Sequence, residues 1–379
     1  LVYIALATRA LGIEMYGTLV LIHAYTRVVS RVCNFKSWQV LLRYGTRPLQ
    51  AGHYGALRRL VRITVGLDAG AAVVACTVAG AGVWVLGPIL GWSPSVTPWA
   101  MGYAVTALFM IKGTPLGLLR LFDRFDLLAV HGAIESAVRL AGATAAFLVG
   151  AGLAGFLAVW FVAAGVAMVV VAAWAVVEWR RRIPPGKSQD EATDSGKFPS
   201  LWRFSWLVNF NGTLAVTVDQ MGVLAVGVLL GAGEAGLFQV AHRLTQAVSK
   251  PVRLLVPAIY PEIARLLADR DHSRLRRLIL RSMALSGALG AIAVTGLVVF
   301  GERLLVLLGG AEMTPAYPMM MLLGLAAFVR LCWFPLEPLL ISAGRPSRAI
   351  YAHAAASIVY IASVAALAGP LALDAAGLA

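Results

Sequence analysis

The sequence predicts an all-α protein that crosses a membrane many times, and three observations carry that prediction. Its 379 residues are 60% hydrophobic, with a mean hydropathy of +0.80, well beyond an ordinary soluble domain. Apolar stretches long enough to cross a bilayer recur along nearly the whole chain, each crossing needing roughly 20 such residues. The basic residues that lie between these stretches fall almost entirely on alternate loops, the asymmetry that orients membrane proteins. The excess of 32 Lys and Arg over 18 Asp and Glu would suggest nucleic acid in a soluble protein. The placement of most of these cations on alternate loops removes most of that argument, so no nucleic acid partner is expected.

Ten full spans are predicted, at 17–35, 63–87, 99–119, 129–150, 155–178, 206–230, 237–261, 281–301, 316–341 and 350–368. Shorter apolar segments at 1–10 and 370–379 bring the expected total to twelve, with both terminal helices read as truncated. Assigning every loop cation to a side puts 22 on one face and only Arg9 and Arg303 on the other. The first face is therefore expected to be cytoplasmic, and the N-terminus with it. The polar segment from Arg180 to Phe204 carries mixed charge and two adjacent prolines, the composition of a linker. The chain is accordingly divided into an N-terminal six-helix bundle (1–179), a cytoplasmic linker (180–204) and a C-terminal six-helix bundle (205–379).

An internal repeat supports that division. Sliding Ala10–Ser30 by 219 residues onto Leu229–Ser249 makes seven of 21 positions identical: Leu11/Leu230, Gly12/Gly231, Gly17/Gly236, His23/His242, Thr26/Thr245, Val29/Val248 and Ser30/Ser249. An offset of six helices leaves both halves in the same orientation, as in transporters built from parallel repeats. The repeat also accounts for the G-x-G-x-x-G at Gly231–Gly236. A dinucleotide fingerprint follows a β-strand and precedes an acidic residue about 20 positions on. Here both flanks are transmembrane in character, so the glycines are read as a turn permitting positive φ, and no nucleotide cofactor is expected. Cys33, Cys76 and Cys332 lack metal-ligand spacing and are read as packing residues.

Eight cations remain at span depth: Arg27, Arg31, Lys112, Arg139, Arg243, Lys250, Arg253 and Arg330. The acids there are Asp68, Glu135, Asp219 and Glu337. Each such group costs roughly 2.5 to 3.5 kcal/mol to insert and normally faces a wet cavity or a partner. A cationic cavity suits an anionic substrate, since buried cations need an anion to offset their desolvation. Arg27, Arg31, Arg139, Lys250, Arg253 and Arg330 are the candidate substrate-binding set, with snorkelling to the interface the competing reading for Arg31 and Arg253. Glu135 stands four residues before Arg139, the favourable order for an ion pair on one helix face, so it has either an internal pairing role or a coupling role in the cavity. Asp219 is the other candidate for ion coupling or gating, or a structural partner for a cation. His23 and His242 are read as packing or hydrogen-bonding residues. Pro115, Pro251, Pro257, Pro335 and Pro338 free carbonyls within spans and permit bending.

Several segments carry a family resemblance. The R-x-L-G-x-x-x-Y-G turn (Arg9, Leu11, Gly12, Tyr16, Gly17), the S-W-Q-x-L-L-R-Y-G loop (Ser37–Gly45), Asp219 ahead of L-L-G-A-x-E-x-G-L-F, and Tyr260–Glu262 resemble the bacterial polysaccharide and oligosaccharide flippases of the multidrug/oligosaccharidyl-lipid/polysaccharide exporter superfamily. The resemblance runs from about Arg9 to Arg348. It implies a two-bundle fold like that of the superfamily's multidrug exporters, residence in the inner membrane, and translocation of undecaprenyl-diphosphate-linked glycan. Expected partners are that glycan, membrane lipid and the polysaccharide polymerase machinery, with no covalent chemistry, cofactor or metal. An ion-coupled exporter of drugs or lipid precursors is the alternative. A membrane-embedded glycan polymerase or glycosyltransferase is more remote, because the external loops are short and nearly uncharged.

Overall fold

The computed structural model describes residues 2–185, 201, 222–253, 262–263, 265–267, 269, 271–333, 335–336 and 339–340, excepting the side chains of 248–253. Among the described residues the structure is helical and contains no strand. The predicted span 350–368, the terminal segment 370–379, most of 206–230 and of the linker, and residues 254–261 of the span 237–261 lie outside them.

The helices are α1 (Val2–Cys33), α2 (Ser37–Gln50), α3 (Tyr54–Ile89), α4 (Thr97–Ala104), α5 (Ala107–Met110), α6 (Gly113–Leu121), α7 (Phe125–Leu148), α8 (Leu153–Arg182), α9 (Ala232–Arg253), α10 (His272–Gly309) and α11 (Ala316–Cys332). A helical stretch at 222–230 precedes α9. Several are longer than the apolar windows that predicted them. α3 and α10 each extend N-terminally through a basic turn, because hydropathy stops at the first charges whereas the helix continues to its cap. Asp271 supplies that cap for α10, accepting the backbone N–H of Arg274 at 2.9 Å.

The chain packs as two compact units, one formed by Leu19–Leu224 and the other by Leu1–Thr18 with Ala225–Ala379. In the first, the amphipathic α2 lays Val40 and Leu41 against Leu57 and Leu60 of α3 and Leu118 and Leu119 of α6. Each of these six side chains is buried. Val171 and Ala175 of α8 complete that core. The outward positions of α3, α8 and α10 are rich in exposed Val, Leu, Ile and Trp, as expected of helices whose solvent is lipid.

In the second unit the two repeat copies meet. Gly12 interrupts α1 with φ 72° and ψ 174°, and its counterpart Gly231 separates 222–230 from α9 with φ 93°. The positive φ anticipated for the glycine turn is present at the first glycine of each copy, whereas Gly233 and Gly236, read as part of the turn, already belong to α9. One turn on, the equivalent glycines Gly17 and Gly236 approach each other: a Cβ on Gly236 would stand 3.1 Å from the Gly17 Cα and 3.0 Å from the Ile13 carbonyl. A Cβ on Gly17 would collide with the backbone carbonyl of Ala232. Just ahead of the first copy, Arg9 and Thr8 donate to the carbonyls near the end of α10, Arg9 to Leu307 at 2.7 Å and Thr8 to Leu308 at 3.0 Å.

Both positions face backbone, but a Cβ on Gly17 would overlap the Ala232 carbonyl outright whereas one on Gly236 would stand 3.0 Å or more from its neighbours, so Gly17→Ala is expected to lower the thermal unfolding midpoint of the purified protein more than Gly236→Ala. The cost should lie in the overpacking range of about 1–3 kcal/mol.

Candidate functional site

The site begins with a helix that breaks. The apolar segment 99–119 reads as one continuous span, yet the structure divides it into α4, α5 and α6. Ile111 is extended (φ −93°, ψ 101°) and Lys112 is non-helical (φ −125°, ψ 26°). Pro115 explains the second break. It has no N–H to offer the carbonyl of Ile111, four residues earlier, and its ring would clash with that carbonyl in a continuous helix. Proline is tolerated instead in the first turn of a new helix, where it falls in α6.

The buried N-terminus of α6 is capped by a carboxylate from α3. Asp68, buried to 8% exposure, accepts the Thr114 backbone N–H at 2.5 Å and the Ser37 hydroxyl at 2.5 Å. It thereby ties α2, α3 and α6 together at the break. Asp68 is an intramembrane acid with a structural task, and its negative charge complements a helix N-terminus.

The break positions Lys112 opposite α7. Its Nζ lies 3.5 Å from Glu135 Oε2, while Arg139 Nη2 donates to Glu135 Oε1 at 2.7 Å. The i, i+4 pair anticipated from sequence is therefore formed, and a second cation, distant in sequence, shares its acid. Arg139 is 8% exposed, lies over the Trp160 ring of α8 with Cζ 5.5 Å from the centroid, and keeps its Nε buried with no hydrogen-bond partner. One turn before Glu135, His131 buries Nδ1 likewise without a partner. Arg27 of α1 lies within electrostatic reach of Glu135, Lys112 and Tyr103. One turn away on α1, His23 Nδ1 meets the hydroxyl of buried Tyr103 at 2.7 Å. Among the described residues, Lys112 and Arg139 thus share the carboxylate of Glu135, with Arg27 within electrostatic reach. Two cations on one anion leave one positive charge, and at ~4 Å an added anion would gain roughly 4 kcal/mol from each of the two at an effective dielectric of 20. Such an arrangement can hold a multiply charged anion, with arginine offering paired donors and lysine a mobile point charge.

The remaining sequence-predicted residues fall elsewhere. Arg31 is exposed in the last turn of α1, and Arg330 is exposed in the last turn of α11. Lys250 and Arg253 belong to α9, but their side chains lie outside the described residues, as does Asp219. His242 stacks on Phe238 with rings 10° apart and pairs with Gln246 at 2.8 Å. Lys112 was legible only as one intramembrane cation among eight, and Pro115 three residues later was the signal that could have singled it out. Glu178 was missed altogether because it lies at the edge of its apolar window. Only 4% exposed, it pairs with Arg124, with Arg182 at 3.3 Å and with Arg181 at 3.7 Å, fastening the start of α7 to the basic end of α8. Among the described residues, no three His, Cys, Asp or Glu side chains come together as metal ligands.

Comparison with known proteins gives a family and a fold. A model of the family described as polysaccharide biosynthesis protein matches residues 103–318, beginning at Tyr103 and including Lys112, Glu135 and Arg139. The inner membrane protein YghQ of Escherichia coli (strain K12) is 29% identical over 322 residues, 84% of this chain and 89% of the relative. An inward-facing multidrug resistance MATE family transporter of the MOP superfamily superposes with a TM-score of 0.63, at 12% identity, over 98% of this chain and 94% of that one. A MATE mutant gives 0.54 at 13% identity, over 89% and 74%. The likeness to the MATE structures establishes the fold, as anticipated.

Removing the cap of α6 should expose its importance. Asp68→Ala leaves the Thr114 N–H and Ser37 hydroxyl buried without acceptors and is expected to cost about 1–3 kcal/mol for each group stranded. The readout is the unfolding midpoint followed by tryptophan fluorescence, with Asp126→Ala, at the exposed start of α7, as the mild comparison.

Proposed function

We propose, since the chain belongs to the polysaccharide biosynthesis protein family, that it is an inner-membrane flippase carrying undecaprenyl-diphosphate-linked oligosaccharide from the cytoplasmic to the outer leaflet for surface polysaccharide synthesis. The observation that carries this reading is that the buried cations Lys112 and Arg139 share one carboxylate among the described residues, with Arg27 within electrostatic reach. A diphosphate with acidic sugars would neutralise it, and the prenyl chain would remain in lipid. In this reading Lys250, Arg253 and Arg330 add further positive charge, Asp219 couples or gates, and the basic loops face the cytoplasm. The inner-membrane placement has the support of the name of the Escherichia coli relative. No bond is made or broken, so the protein acts as a transporter and needs no cofactor.

The shared MATE fold favours one competing activity, export of drugs or other lipid precursors. A carrier of cationic drugs would need acids to outnumber bases where substrate binds, and the balance in the described cluster is the reverse. Deleting the gene should leave lipid-linked glycan facing the cytoplasm. Restoring it with Arg27→Gln/Arg139→Gln should lower surface glycan about ten- to hundredfold at normal protein level, the loss of one to two charge-assisted contacts. Unchanged glycan export by that double variant, or by the Arg27→Gln/Lys250→Gln pair, counts against the reading.

A further inference from the structure

Resting on the reading of the cluster as an anion site, we propose that Glu135 is a resident stand-in for the transported phosphate or diphosphate: the carboxylate fills the anion's place between Lys112 and Arg139 and is exchanged for it during each cycle.

The geometry separates an inner cationic wall from an outer, replaceable anion. The side chains of Lys112 and Arg139 are only 11% and 9% exposed, whereas that of Glu135 is 36% exposed. Each of its oxygens meets a different cation, Oε2 facing Lys112 and Oε1 facing Arg139. Two oxygens bridging two donors is also how a phosphate would lie there. The cluster holds more donor capacity than one carboxylate uses, since the Arg139 Nε remains buried and unpartnered. Trp160 lies against the Arg139 guanidinium, and the break at Ile111–Lys112 sets Lys112 outside regular helix. The cations are thus held in place while Glu135, on three rotatable bonds, can swing outward without moving α7.

The arrangement has a kinetic consequence. Buried cations without a counter-anion would hold a diphosphate too tightly for release. A tethered carboxylate competes for the same donors and returns as the anion departs. It must also weaken apparent binding: if the donors are open in one molecule in ten, affinity falls about tenfold.

The test is binding to the purified full-length chain in phosphatidylcholine nanodiscs, with inorganic pyrophosphate and farnesyl diphosphate as separate probes. Glu135→Gln keeps the shape but not the charge and is expected to bind about tenfold more tightly than wild type. Glu135→Asp, too short to bridge both cations, should tighten binding a few-fold, and it serves if the glutamine variant does not fold. Lys112→Gln should weaken binding. Tightening with both probes supports exchange and identifies the diphosphate itself as the ligand. Tightening with farnesyl diphosphate alone supports exchange and requires the ligand to come from a lipid. Should Lys112→Gln weaken binding while neither Glu135 variant tightens it, exchange is overturned and the anion site stands. Should no substitution alter either probe, the anion site itself is overturned.

Discussion

A proline cannot donate a backbone hydrogen bond, and in this protein the missing bond from Pro115 shapes the surroundings of the candidate site. In a continuous helix through 99–119, Lys112 would project from regular backbone and the start of α6 would not exist. The break creates unsatisfied N–H groups in a low-dielectric interior, where each is costly. Asp68 and Ser37 answer that cost from α3 and α2. A local defect in one helix is thereby converted into a three-helix junction. The same junction places Lys112 beside α7.

Electrostatics then determines what the junction is good for. Arginine and lysine buried in an apolar setting demand counter-charge, and among the described residues Lys112 and Arg139 share the one carboxylate of Glu135. Glu178 shows the opposite use of similar groups. It is buried, and around it stand Arg124 at the start of α7, whose charge Asp126 shares, and the exposed Arg181 and Arg182 at the basic end of α8. Its network reads as a structural clamp. The Glu135 cluster keeps the Arg139 Nε buried without a partner among the described residues, which is the physical distinction between a fastening and a site.

The repeat adds a different constraint. Equivalent glycines adopt equivalent left-handed conformations at Gly12 and Gly231, and equivalent glycines touch at Gly17 and Gly236. Contact between matching positions leaves room for backbone only, so the residues preserved between the copies include those that side chains would push apart. The duplicated histidines did not retain one common role. His23 engages Tyr103, whereas His242 stacks within its own helix.

By itself, the sequence determined that this chain is helical and membrane-spanning, and it located the repeat, its glycine turns and the Glu135–Arg139 pair. These are properties of order along the chain: hydropathy accumulates over a window, and an i, i+4 pair meets on any helix. Helix ends were less legible, because polar turns extend a helix beyond the apolar window that reveals it. Only the tertiary structure decided that Asp68 caps α6, that Lys112 shares the acid of Arg139, and that Glu135 stands outermost. Such choices depend on which helices meet and at what depth. A charge's partner in a low-dielectric interior is selected by distance in space, and two residues 23 positions apart, Lys112 in a helix break and Glu135 in α7, carry no periodic signal of that distance.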